Sequence, residues 1–511
     1  MKPVASFIMN KPRISLAWLP WRVLLVIAVA LKVRLSWWSS SPGAAYFPDS
    51  MCYWPVRPDN PCRSGHSYTV QYIWDFLTNH HMSEHRVLIV QLILGLVSSV
   101  LVFATLRLLT RPNIALVLAM VFAAIPQLVF MERAILTESI ELVLVTFGTF
   151  AVVVTMKVRK PWAQALMLSL VAVTYGLAVA VHAASLIALG MSLVVACGAV
   201  VLRGRWKLRD SWRSWAPRLA LMAALPVLFV APSVPVFNVH ERVYGVLSFN
   251  PIANATLVYR WSPIISCDRD PQTTQLTQAT VKRACRNQEF FPVPGLNLAP
   301  VFSEEMQLLL GQHKEQLGLS SNELGSIAMK AIVEHPVIVV REMSRSIVWQ
   351  IARQRQFDQF EPAVSWINGA VDRDKAYPNW RQWFGPNDPT VSSPFPNALL
   401  RVSEENIMLP NHLLWIGMLA AGGRLLVSRL TQRRSFRGWR IKPFSRRELV
   451  VLTLALAQIL GLATAVAYSS APDPRYWLPL IPTMFVLITL GIIEVVPDGP
   501  KSRNETERLD F

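Results

Sequence analysis

Residues 84–113 read EHRVLIVQLILGLVSSVLVFATLRLLTRPN, and the uncharged run from Val87 to Leu106 decides the fold class. A helix of roughly 20 apolar residues spans the ~30 Å of bilayer hydrocarbon. The run is continuous rather than alternating, which excludes a β-barrel strand. It ends in RLLTRPN from Arg107, the kind of basic connection that stays on the cytoplasmic side of a membrane.

The same pattern recurs outward in both directions. Of 511 residues, 52% are hydrophobic and only 16% charged, more apolar material than one water-soluble core of this length needs. Spans are expected at Leu16–Val33, Val87–Leu106, Ile114–Met131, Glu138–Met156, Ala163–Val181, Ala183–Leu202, Leu219–Val236, Leu409–Leu430, Leu449–Tyr468 and Trp477–Val496. The expectation is an all-α polytopic membrane protein of about ten transmembrane helices. The formal charge of +18 does not point to nucleic acid, because the basic residues lie in short connections rather than on a soluble domain.

With the basic N-terminus MKPVASFIMNKPR inside, the loops from Arg107, Lys157, Arg203 and Thr431 are cytoplasmic, and all are basic. Both termini are then cytoplasmic. Two long outer segments remain, 34–86 and 237–410. The chain divides into an N-terminal membrane module (1–236), an outer region (237–410), C-terminal transmembrane helices (411–496) and a cytoplasmic tail (497–511). GHSYTVQYIWDFLTNHH from Gly65 and SNELGSIAMKAIVEHPVIVVREMSRSIVWQIARQ from Ser321 have apolar residues at helical spacing and are expected as outer interfacial helices.

Cysteine placement agrees with this topology. Cys52 and Cys62 lie in the first outer loop and Cys267 and Cys285 in the second, so two disulfides would form in an oxidising compartment, within the loops or across them. Neither pair has zinc-ligand spacing. Cys197 falls inside a span, as a small apolar residue.

Ionisable groups at membrane depth are costly and mark function. Those at outer span ends are Asp49 in FPDSMCYW, Glu132, Arg133 and Glu138 in MERAILTESIE, His182 in VHAAS, and Asp473 and Arg475 in PDPRYWLPLIP. Around one cavity, arginines would meet a lipid phosphate with their planar donor fork. A carboxylate such as Asp49 would take the proton of an attacking hydroxyl as the phosphate leaves, inverting the anomeric centre.

Four motifs in order carry a family likeness: PDSMCYW, EHRVLIVQLILG, ERAILTES and DPRYWLPLIP. The chain resembles the GT-C superfamily of membrane glycosyltransferases, in particular bacterial relatives of the dolichyl-phosphate-mannose protein mannosyltransferases and the lipid A aminoarabinose transferase. The resemblance implies a polyprenyl-phosphate sugar donor and a lipid, glycan or protein acceptor, used at the outer face of the inner membrane. It implies Asp49 as general base, Glu132, Arg133 and Glu138 lining the site, and Arg475 and Tyr476 near the lipid phosphate. Many relatives have a second acid where this chain has Ser50, and arginine or lysine where it has His182, which leaves a divalent metal ion and the donor sugar open.

Each residue also has a purely structural reading. Asp49 suits a turn. Glu138 suits a helix start capped by Thr137. Glu132 and Arg133 suit a mutual ion pair, Arg475 an interfacial anchor, and His182 a helix end. The rival function is a transporter or flippase for a lipid-linked sugar or another anionic solute, which would set its charges along a path through the membrane.

Overall fold

Glu84, Glu138, Pro161 and Arg446 start four of the long helices, and apolar residues fill their middles. The computed structural model describes residues 19–40, 65–79, 83–135, 137–158, 160–203, 212–244, 257, 261, 321–352, 399, 402, 409–433, 439–441, 443–469, 474–492 and 495–497. The helices are α1 (Leu19–Ser40), α2 (Gly65–Leu77), α3 (Glu84–Leu109), α4 (Pro112–Ala123), α5 (Pro126–Met131), α6 (Glu138–Thr155), α7 (Pro161–Val181), α8 (Leu186–Arg203), α9 (Trp212–Val230), α10 (Val234–Tyr244), α11 (Ser321–Glu334), α12 (Pro336–Ala352), α13 (Leu409–Arg433), α14 (Arg446–Ser469) and α15 (Ile481–Gly491). Short 3-10 turns cover Ala183–Ser185, Ala231–Ser233 and Pro474–Leu480, and β1 (Trp439–Ile441) pairs antiparallel with β2 (Val495–Pro497).

Among the described residues, eight helices are long and apolar enough to cross a membrane, and two apolar helices are shorter, Pro112–Ala123 and Trp477–Gly491. These ten lie where the ten spans were expected. The protein is an all-α polytopic membrane protein, its one described sheet being the short β1–β2 ribbon.

Two span boundaries differ from expectation. The third span, expected unbroken over Ile114–Met131, is split between α4 and α5. Pro126 has no N–H to continue the ladder and drives Ile125 to an extended backbone (φ −65°, ψ 117°), then serves as the first residue of α5. The first span runs past the expected Val33 to Ser40, which brings Arg34 inside a helix.

Helix direction alternates, so α1, α5, α7 and α14 finish at the end where α3, α6, α8 and α13 begin. This is called the site end below. At the opposite end basic residues gather. The Lys157 ammonium there has its pKa lowered by partial desolvation and by the Arg447 and Arg107 charges. At that end Ser445 and Glu448 form a reciprocal capping box at the start of α14, and Glu448 accepts from Arg424 at 2.9 Å.

The bundle packs α6 against α3 and α7, α14 against α8 and α15, and α13 against α15. Gly461 of α14 lets the backbone of α8 approach, since a Cβ there would stand 2.7 Å from Ala188 Cα. The two halves meet at Gln458. Its Nε2 donates to Tyr175 Oη at 3.0 Å and Thr149 Oγ1 at 3.4 Å, and its Oε1 accepts from Thr483. All four residues are buried, and lipid offers no water to replace a lost partner. Gln458→Leu strands the hydroxyls it binds, at about 1–3 kcal/mol for each left unpaired. The expected result is a clearly lower thermal midpoint in detergent; an unchanged midpoint would show that the hub fastens nothing.

The interfacial helices form where expected, with two differences. The 321–352 stretch breaks into α11 and α12 at His335–Pro336. In α12 the inner strip is polar, Glu342, Ser346 and Gln350 being buried with Val339 and Gln350 Nε2 donating to Ala463 O of α14 at 3.2 Å, while Arg341 and Arg345 lie exposed on the outer side. Val333 of α11 and Val337, Val340 and Val348 of α12 are exposed instead.

Candidate functional site

The turn from α5 into α6 carries the ERAILTES motif and is held from three sides. Ser139 Oγ donates to Met131 O at 3.0 Å, joining the start of α6 to the end of α5. Gln91 of α3 donates through Nε2 to Ala134 O at 2.8 Å. Ile135 and Ile140 are buried in a cluster with Val70 and Trp74 of α2, Val87 and Leu88 of α3, and Val181 of α7. The amphipathic helix read from GHSYTVQYIWDFL therefore roofs this turn with its valine and tryptophan, leaving Tyr72 and Phe76 exposed.

Glu132 turns inward from this turn to Arg34 of α1. Nε donates to Oε2 at 2.6 Å and Nη2 to Oε1 at 2.5 Å, a bidentate pair with side chains only 3% and 4% exposed. Arg34 Nη1 also donates to Ala30 O at 3.1 Å and to Ala123 O at 3.2 Å. The second is a carbonyl at the α4–α5 break, where the helix ladder is interrupted. Gly95 of α3 makes the room, since a Cβ there would collide with the Glu132 carboxylate. Glu132 thus pairs with Arg34, not with its neighbour Arg133 as the sequence allowed. Arg133 lies with its guanidinium 4.6 Å from the centre of the Trp38 ring, and Trp38 meets His85 edge-on at 6.2 Å.

At the start of α6, Glu138 is buried and Thr137 Oγ1 donates to its Oε2 at 3.1 Å. Thr137 precedes the helix but its side chain makes no capping bond to the backbone, which corrects the capping role expected of it. One turn on, Glu141 is 1% exposed and binds the first and last residues of the α7–α8 break, His182 and Ser185. His182 Nδ1 donates to Glu141 Oε2 at 2.7 Å, and Ser185 Oγ donates to Oε1. A carboxylate accepts only, so this contact puts a proton on Nδ1. His182 is extended (φ −147°, ψ 103°), ending α7 and aiming the imidazole at α6.

The Pro474–Leu480 turn packs against α6, α13, α14 and α15, so the turn that contains Arg475 and Tyr476 lies beside the helix that carries Glu138 and Glu141. The side chains of Arg475 and Tyr476 lie outside the described residues, as do Asp49, Asp473, Cys52, Cys62, Cys267 and Cys285. Cys197 is buried, as expected. Among the described residues no group of three or more His, Cys, Asp or Glu is placed to hold a metal ion, and Glu132 has both oxygens on Arg34.

This buried acidic turn, α2 lying over it, and the span that follows on to α10 all fall within one stretch of chain. Residues 65–244 match the dolichyl-phosphate-mannose-protein mannosyltransferase family. The likeness to GT-C membrane glycosyltransferases carried by the motifs therefore holds over this stretch, about a third of the chain. The mannosyltransferase match contains Glu132, Arg133, Glu138 and His182, and stops short of Arg475 and Tyr476. It begins after α1, so Arg34 lies outside it. No curated protein and no solved structure matches the chain.

Three residues of this end escape a reading by sequence alone: Arg34, Glu141 and Ser185. Arg34 looks like the flank of the first span because the apolar run thins there. Glu141 stands three residues after Glu138 in ESIE, a spacing that puts both on one helix face, and that was the signal for it.

Proposed function

We propose that the protein is an integral-membrane glycosyltransferase that takes a sugar from a polyprenyl-phosphate donor and passes it to an acceptor hydroxyl on the outer face of the membrane. The observation that carries this reading is the gathering of Glu132, Arg133, Glu138, Glu141 and His182 at one end of the bundle, within the stretch that matches the mannosyltransferase family. The donor's lipid tail suits a protein built of membrane-spanning helices. Its phosphate suits the cations Arg133, Arg475 and a protonated His182.

In this reading Asp49 takes the acceptor proton and the sugar transfers in a single inverting displacement, with polyprenyl phosphate leaving. Arg475 and Tyr476 sit at that phosphate, brought to α6 by the 474–480 turn. Glu141 holds His182 through Nδ1, so the ring keeps one orientation. The described ion pairs Arg34–Glu132 and Glu141–His182 lie at the site end, which favours a single reaction site over the distributed charges of a transport path.

Membrane glycolipids, glycans and glycoproteins from cells with and without the gene, compared by mass spectrometry, test the proposal. The expected result is the loss of one sugar from one acceptor class, with its polyprenyl-phosphate donor accumulating. An unchanged profile together with donor trapped on one leaflet would sink the enzyme and favour the flippase.

A further inference from the structure

Arg34 and Trp38 are one helical turn apart on the same face of α1, and they engage the adjacent residues Glu132 and Arg133. One rung is a buried bidentate ion pair and the other a cation over a ring. Ala123 O, at the α4–α5 break, closes the first rung, and His85 of α3 borders the second. The last turns of α1 are thereby bolted to the ERAILTES turn, while α1 ends at Ser40, nine residues before Asp49.

We infer that Arg34 is a positioning residue for transfer: with Trp38 it clamps the root of the segment bearing Asp49 to the Glu132–Arg133 turn. This rests on the glycosyltransferase reading and assigns Glu132 a different part in it, as the anchor of the clamp rather than a ligand of the substrate. A carboxylate gripped through both oxygens by one guanidinium, and buried with it in a slot kept open by Gly95, is committed to that pair and shielded from a sugar or a cation. Stability alone does not call for the ion pair, because apolar residues of similar volume commonly hold a buried site as well. What a bidentate pair adds is a single fixed geometry, and a misplacement of ~1 Å costs about 10²-fold in rate.

The test uses the full-length chain in membranes supplied with radiolabelled polyprenyl-phosphate mannose, reading label moved to acceptor. Arg34→Met should lower kcat by roughly 100-fold with KM for the donor nearly unchanged, since the proposed phosphate-binding groups remain. That variant strands a buried carboxylate and so also threatens folding. The double variant Arg34→Met, Glu132→Leu removes both charges and should return abundance and thermal midpoint to those of the wild type while kcat stays low. A wild-type kcat in the double variant overturns the clamp. If both apolar variants fail to accumulate, Arg34→Lys decides, because it keeps the charge and loses the fork: a reduced kcat at unchanged KM supports the clamp and a wild-type kcat overturns it. Failure of the underlying reading looks different, since the wild type itself would then move no label from any polyprenyl-phosphate sugar offered.

Discussion

Membranes carrying Asp49→Asn are expected to transfer sugar about 10²–10⁴-fold more slowly than wild type, with the same amount of inserted protein. Asparagine keeps the shape of the side chain and its carbonyl acceptor but cannot take a proton, so an attacking hydroxyl keeps its hydrogen as the new bond forms. The chain geometry is compatible with this role. Asp49 follows the end of α1 by nine residues, and such a stretch reaches ~30 Å at most, within range of the turn that Arg34 and Trp38 grip. The measurement is donor consumption and labelled product in isolated membranes, normalised to protein by immunoblot. A wild-type rate in this variant would remove Asp49 from the chemistry and turn attention to Glu138, a buried carboxylate at the start of α6.

The second large effect is expected from a residue with no chemistry of its own. Gly95→Val puts a branched side chain where the buried Glu132 carboxylate lies. Glu132 must then leave Arg34, and a broken buried pair costs about 3–5 kcal/mol, a large part of the 5–15 kcal/mol that typically holds a fold. The expected outcome is a sharp fall in correctly inserted, monodisperse protein and in its thermal midpoint. Activity per folded molecule should fall as well, because the same displacement loosens the ERAILTES turn. A variant with normal yield and midpoint would mean that the turn has slack the packing does not suggest.

The spans were legible because twenty apolar residues in a row have few other uses, and the alternating basic loops set their order. The site end was legible in outline because Glu132, Arg133, Glu138 and His182 are misfits in an apolar sequence. Arg34 and Glu132 were not seen as partners, since they stand 98 positions apart and only the packing of α1 on α4 and α3 joins them. The α4–α5 break was hidden by continuous hydropathy, although Pro126 announces it. The inner face of α12 went unread for another reason. A helical spacing of valines says that one face is apolar, but the partner decides whether that face turns in or out, and here α14 offers carbonyls that Gln350 prefers.

The outer side of α12 thus mixes bare valines with Arg341 and Arg345, over an inner strip that is polar. Cut free with α11 and placed in buffer, it would present Val333, Val337, Val340 and Val348 to water and find its own copies first. For anyone isolating the intact molecule, amphiphile must therefore cover more than the ring of spans. A belt too narrow to reach these valines would leave a sticky ledge, and self-association through that ledge would be an artefact of stripped lipid.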